Sequence, residues 1–328
     1  MQRFKNILFV ADKLEGPDTA FERARALAKR NNAALKVVIT MTSTPNRRLL
    51  GGERVDDIVR DYYRERLELK LREVHDDGIE VTGAVIEGTF VKIIQEVIAG
   101  NHDLVMKTSE NRNWLHEKIF GSTDMHLMRK CPTPVWIFKD DQSPRFKKIL
   151  VAIDPGAPSA EAESLNIKAL QLGTSLAEQD QSELEIVYCW RLDGETILRG
   201  RAFGRRNEAA IDDLLSVEEN HHAQLLKNVT APFGLPHDEA RLHLFKGDAR
   251  VVIPRMAEAD KVELIIMGTL CRNGIAGAII GNTAEEILSQ VQCSVLTIKP
   301  DGFVSPVHSD GSGLPSAVDR IVSNHAMA

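Results

Sequence analysis

This chain repeats itself, and that limits its folds more than any other feature. Phe4-Lys5-Asn6-Ile7-Leu8-Phe9-Val10-Ala11-Asp12 returns as Phe146-Lys147-Lys148-Ile149-Leu150-Val151-Ala152-Ile153-Asp154, an apolar run closed each time by an aspartate. Near the far end of each copy, Asp103-Leu104-Val105-Met106-Lys107 parallels Glu263-Leu264-Ile265-Ile266-Met267. Gly121-Ser122-Thr123 aligns with Gly281-Asn282-Thr283 at the same offset of 160. Copies this long are domains rather than solenoid units, because each can bury a core of its own, and 328 residues leave room for two.

The repeats also set the fold class. Short runs that are apolar throughout are strands covered on both faces, as in a parallel sheet. Further strand-like runs fall near 33–40, 79–86 and 134–138, and near 184–190, 239–245 and 295–299. Between them, Arg54 to His75 and Glu208 to Val229 carry apolar residues at mixed three and four spacing, the mark of an amphipathic helix. Strands alternating with helices require crossover connections, which yield a parallel sheet covered on both sides. The expectation is therefore α/β, two tandem doubly wound domains. Each is a five-stranded parallel sheet of order 3-2-1-4-5 flanked by about four helices. They span residues 1–140 and 146–300, joined by a short linker at Asp140 to Arg145 and packed as a pseudo-dimer within one chain. Residues 301–328, rich in Gly, Ser, Pro and His, read as a flexible tail.

Charge excludes one large class of function. Residues 1–144 hold 23 Lys and Arg against 22 Asp and Glu, and the remainder 18 against 25, so neither half carries the basic footprint of a nucleic-acid binder. Aromatic content of 5% leaves little material for stacking on bases. No span has the length and apolarity to cross a bilayer. The four cysteines, Cys131, Cys189, Cys271 and Cys293, form no CxxC and no disulfide framework, which fits reduced thiols and a cytoplasmic protein. The expected partner is a small molecule, with association of whole pseudo-dimers as a further level.

In an open parallel sheet, ligands bind outside the carboxyl ends of the strands, where strand order reverses. With order 3-2-1-4-5 the first and fourth strands are neighbours, so Asp154 and Gly268 face one crevice. The segment after Met267 carries Gly268, Gly274, Gly277 and Gly281, which let the backbone turn and approach a ligand. Asn282 or Thr283 is placed to cap the next helix, and Thr283-Ala-Glu-Glu286 has the form of a capping box. The alternative is a tight connection and an ordinary turn aspartate. No P-loop sequence is present.

On these residues the chain resembles the universal stress protein family, in particular its tandem class of the E type. Leu127-Met128-Arg129-Lys130-Cys131-Pro132-Thr133-Pro134-Val135-Trp136 carries much of the likeness in the first half. The resemblance implies a stress-response protein without a catalytic residue. Nucleotide-binding members of the family carry G-x2-G-x9-G-[S/T] after the fourth strand and an aspartate closing the first. Carried onto the second half, the pattern falls on Asp154, Gly268, Cys271 in place of the middle glycine, Gly281, and Asn282 in place of the Ser or Thr; Thr283, the neighbouring cap candidate, joins them as a binding residue. In the first half only Asp12, Gly121 and Ser122 remain, with Thr108 and Asn111 at the first two glycine positions. The implied ligand is an adenine nucleotide such as ATP, with Mg when bound, held in the second half. The first half is read as a scaffold, or as holding a more apolar ligand near Trp114 and Phe120. Two alternatives stand beside this: an interaction module for a non-nucleotide metabolite or lipid-like molecule, and a weak ATPase or adenylyl-transfer enzyme relying on Arg272.

The remaining reactive residues carry less. Cys271 near a helix start is either a redox-sensing thiol or a space-filler, and Cys189 in an apolar strand is core. His221 and His222 are adjacent on a helix and point apart, so they read as solvated surface. His243 is placed on a strand that approaches the crevice with Cys271 and Asp154. No metal-binding motif and no GxSxG elbow is present, and Ser122 reads as a cap.

Overall fold

The computed structural model describes residues 4–12, 18–42, 47–49, 51–74, 77–109, 120–139, 143, 145–201, 205–235, 241–269, 280–307 and 321–322. The chain divides into two compact units. The first takes in the described residues of Met1–Arg145, Cys271–Ile280 and Ser294–Ala328, the second those of Phe146–Leu270 and Gly281–Cys293.

Unit 1 runs β1 (Asn6–Val10), α1 (Thr19–Asn31), β2 (Ala34–Met41), α2 (Val55–Arg72), β3 (Val81–Glu87), α3 (Phe90–Ala99), β4 (Leu104–Thr108), α4 (Ser122–Lys130) and β5 (Val135–Phe138). Unit 2 repeats the pattern with β6 (Lys148–Ala152), α5 (Ala160–Asp180), β7 (Glu183–Trp190), α6 (Glu195–Arg201), α7 (Arg205–Thr230), β8 (Leu242–Lys246), α8 (Ala249–Ala259), β9 (Leu264–Gly268) and α9 (Asn282–Leu288). Two later strands, β10 (Ser294–Ile298) and β11 (Ile321–Val322), fall in unit 1.

In unit 1 the strands lie in the order β3-β2-β1-β4-β5, all parallel. Antiparallel neighbours are added on either side, β10 on β5 through Val295↔Ile137 and Thr297↔Val135, and β11 on β3. In unit 2 the order is β8-β7-β6-β9, again parallel. The fully apolar runs of the sequence are the central strands. Ile7 to Val10 and Ile149 to Val151 are wholly shielded, as strands with helices on both faces must be.

The repeat extends to helix punctuation. Asp18 caps α1 by accepting from the Phe21 N–H at 3.1 Å, and Ser159 caps α5 by accepting from the Ala162 N–H at 3.1 Å. Both helices end on a left-handed residue, Asn32 at φ 48° and Gln181 at φ 58°.

Candidate functional site

The register of the central strand pairs brings the two halves of each crevice together. In unit 2, Ala152 lies opposite Met267, so Asp154 and Gly268 leave neighbouring strands at the same end. In unit 1, Val10 lies opposite Lys107, which places Asp12 beside the end of β4 in the same manner.

What fills the two crevices differs. In unit 1 the Lys107 side chain is 1% exposed and its ammonium bonds the Asp12 carboxylate, Oδ1 of Asp124 at 3.0 Å and the Thr108 carbonyl at 3.0 Å. Asp124 is fully buried, and its Oδ2 accepts from the Gly121 N–H at 3.0 Å and the Ser109 hydroxyl at 3.3 Å. A second buried pair adjoins it. Nζ of Lys70 lies 3.3 Å from Oδ2 of Asp18 and 4.4 Å over the Phe21 ring, while the Thr108 hydroxyl reaches Oδ1 of Asp18 at 3.3 Å. Three carboxylates and two ammonium groups thus gather at the carboxyl ends of β1 and β4. Lys107 serves Asp12 and Asp124 and Lys70 serves Asp18, so each carboxylate has an ammonium contact, the condition under which buried charge is tolerated.

In unit 2 the same positions carry little charge. Met267 stands where Lys107 does and Ala284 where Asp124 does. The Asp154 backbone N–H donates to Oδ1 of Asn166 at 2.9 Å, and the chain then turns tightly, with the Ala157 N–H on the Asp154 carbonyl at 3.2 Å. Gly268 has a packing reason to be glycine, since a β-carbon there would lie 3.2 Å from Cδ1 of Leu165. A groove of about 810 Å³ borders the same turn, lined among others by Pro155, Pro158, Asn166, Ile167, Val229 and Phe233.

Several residues stand differently from their sequence reading. Helix α9 begins one residue earlier than the capping reading requires. Its cap is Gly281, with Asn282 and Thr283 as the first two helical residues and no side-chain cap bond. Likewise α4 is capped at Gly121, so Ser122 is its first helical residue, and Asp124 supplies the bond back to the Gly121 N–H. His222 is not solvated surface: its Nδ1 lies 2.6 Å from the Tyr188 hydroxyl and its ring stacks on Trp190 at 4.9 Å. His221 is exposed. His243 meets Glu185, with Nε2 3.6 Å from Oε2, and Glu185 in turn binds Lys148 at 2.9 Å. That network runs toward the amino ends of β6 and β7, away from Asp154. Cys189 is half-buried rather than core, and burial pushes its thiol up to about 12. Phe120 is buried, whereas Cys271, Asn111 and Trp114 lie outside the described residues. Among the described residues no group of three or more His, Cys, Asp or Glu is placed to hold a metal, and no helix is long and apolar enough to cross a membrane.

Lys107 and Asp124 were not singled out as site residues from the sequence. The signal was available at the offset of 160: an ionic pair in one copy, Lys107 and Asp124, is replaced in the other by Met267 and Ala284.

Comparison with known proteins follows the same division. The sequence model described as the Universal stress protein family matches residues 3–139 and again 145–299. Universal stress protein E of Salmonella typhi is 30% identical over 322 residues, covering 94% of this chain and 99% of that protein. Universal stress protein E of Escherichia coli K12 is also 30% identical over 322 residues, with 94% and 98% covered. Among solved structures, a functionally unknown protein of Pseudomonas aeruginosa PAO1 is 27% identical, with 92% of this chain and 94% of that one covered at a TM-score of 0.68.

Proposed function

The chain belongs to the universal stress protein family, and from that premise we propose that it is a non-enzymatic stress-response protein with one working ligand crevice, at the carboxyl edge of unit 2. The carrying observation is the β6–β9 register, Ala152↔Met267, which sets Asp154 beside Gly268. A carboxylate at that edge suits the hydroxyls of a ribose or the amino group of an adenine. Neither Met267 nor Ala284 adds a charge that would oppose phosphate. An adenine nucleotide is therefore the ligand class. Asp154, Gly268, Gly281, Asn282 and Thr283 are the described residues that would border it, and Cys271 is the position where the family's middle glycine is replaced. In unit 1 the place is taken by Lys107 and its carboxylates, which supports reading that unit as a scaffold.

Calorimetry with ATP, ADP and AMP tests the reading. Heat of binding is expected for the parent, with affinity falling at least tenfold in Asp154→Ala, about 1.4 kcal/mol. No heat at millimolar nucleotide rejects it. The largely apolar groove beside the same turn favours a second reading, a non-nucleotide metabolite or lipid-like ligand. Mass spectrometry of small molecules retained through native purification separates the two.

A further inference from the structure

We propose that His222 is a proton-operated latch on the turn that follows Asp154, holding Pro155–Ala157 through Tyr188 while its imidazole is neutral and releasing that turn when it is protonated. That the turn borders a ligand site rests on the reading of unit 2 given above; the latch itself does not.

The argument begins at Gly156. The backbone there runs so close to Tyr188 that an added β-carbon would lie 2.3 Å from the phenol oxygen and 3.6 Å from Cε1 of His222. Only glycine fits. The Gly156 N–H is near enough to the Tyr188 oxygen to pull its pKa down against the effect of burial, and that oxygen lies 2.6 Å from Nδ1 of His222. Tyr188 is 2% exposed, and burial pushes its hydroxyl up to about 12, so it is a neutral phenol with a proton to donate. Burial, aided by the neighbouring His221, pushes His222 below the usual imidazole range, which leaves Nδ1 with a lone pair to accept that proton. The Tyr188 hydroxyl therefore joins the turn to α7, packed against Gly156 on one side and bonded to Nδ1 of His222 on the other.

The groups facing the imidazole are few. Glu218, one turn earlier on α7, lies 3.9 Å from Nε2 and favours the charged ring; His221, edge-on at 5.6 Å, opposes it. From β7 come Tyr188 and Trp190, whose indole stacks at 4.9 Å and 25°. Pro155, Gly156 and Ala157 bring no titratable side chain.

A proton on Nδ1 sets two donors against each other. Tyr188 must then find another acceptor in a place closed to water, or accept from the imidazolium in competition with Gly156. Either way the contact of Tyr188 with the turn loosens. Because His222 titrates lower in the folded state than unfolded, the latch is fully set above the ordinary imidazole range and is lost as pH falls through the folded value.

The test is the protection factor of the Gly156 amide, measured by hydrogen exchange on the full chain without ligand between about pH 7.5 and pH 5. The parent is expected to lose about fivefold in protection on acidification. His222→Asn places an amide oxygen near the position of Nδ1 and cannot be protonated in this range, so its protection should stay high throughout. Tyr188→Phe should be low at both ends. Protection in the parent that does not change with pH, or an equal drop in His222→Asn, overturns the latch. Nucleotide calorimetry at pH 7.5 reports on the crevice separately: an intact pH response without heat of binding sinks the nucleotide reading and leaves the latch standing.

Discussion

In unit 1 the strand pair β1–β4 leads into Asp12 and Lys107; in unit 2 the pair β6–β9 leads into Asp154 and Met267. The strand register is the same, yet Lys107 and Asp124 in one unit stand where Met267 and Ala284 stand in the other. The difference shows that two repeats can share a fold while carrying different charge at the same sheet edge. Lys107 and Asp124 lie 3.0 Å apart, so each offsets the charge of the other. Either one alone would be costly, because a single buried ion without its partner is far worse than none.

That coupling gives the largest predicted effect. Lys107→Met takes the ammonium away from the fully buried Asp124 and should destabilise unit 1 by about 3–5 kcal/mol. Adding Asp124→Ala gives unit 1 the residues of unit 2 at both positions and should recover more than half of that loss. Urea unfolding of the two single variants and the double variant forms a cycle. Additive losses would mean that the ions do not act as a unit, and the comparison of the crevices would lose its basis.

The next effect compares the lysines that follow the last strand of each repeat. Lys139 is half-buried, whereas Lys299 is 5% exposed, with Nζ on the Met128 carbonyl at 2.7 Å and the Arg129 carbonyl at 3.1 Å, and Phe303 beneath it at 4.8 Å. Burial pushes Lys299 down to about 7, although the carbonyl end of α4 favours a cation and the nearby Cys131 sulfur pulls upward. A folded value below the unfolded one means that the unfolded chain binds more protons between the two, so stability rises with pH through the window from about 7 to 10.5. Lys299→Met should gain on the order of 3 kcal/mol at or below neutral pH, with the gain shrinking to nothing above pH 10.5. A pH-independent difference between parent and variant would show that burial does not hold this amine down.

Most of the fold could be read from the sequence because buried parallel strands leave a strong mark. Ile7 to Val10 and Leu264 to Met267 are apolar without interruption, an aspartate follows each first strand, and a glycine ends the fourth strand of unit 2. The crevice was harder to read. Its position follows from strand order, which the repeat supplies twice, but its contents depend on side chains far apart in sequence. Lys107 reads as the polar end of a strand and Asp124 as a helix residue; only the fold shows them 3.0 Å apart. His222 fails for a similar reason. Its neighbour His221 is exposed, and nothing local marks which of two adjacent histidines turns toward Tyr188.

A smaller effect probes the glycine itself. Thr108 and Gly268 occupy equivalent ends of β4 and β9, but only unit 1 has room for a side chain there. Gly268→Thr would press its β-carbon against Leu165, 3.2 Å away, and should cost roughly 1–2 kcal/mol by overpacking. If the variant is as stable as its parent, Leu165 yields freely and Gly268 owes its place to a ligand rather than to packing. In that case nucleotide affinity should be the quantity that falls.

The smallest effect concerns the first helix of each repeat. Asp18 does two jobs in unit 1, capping α1 and holding Lys70, while Ser159 in unit 2 has the cap bond to Ala162 and no ion pair among the described contacts. Ser159→Ala should therefore cost about 1 kcal/mol, the ordinary worth of a cap. Ser159→Asp copies unit 1, keeps an acceptor for the Ala162 N–H and places a negative charge at the positive end of a 21-residue helix, so it should lie within a few tenths of a kcal/mol of the parent. The urea midpoints of the two variants check this. An aspartate that destabilises as much as the alanine would mean that the turn from Asp154 to Ser159 already holds as much negative charge as it tolerates, and that the crevice of unit 2 repels the phosphates it is here assigned to hold.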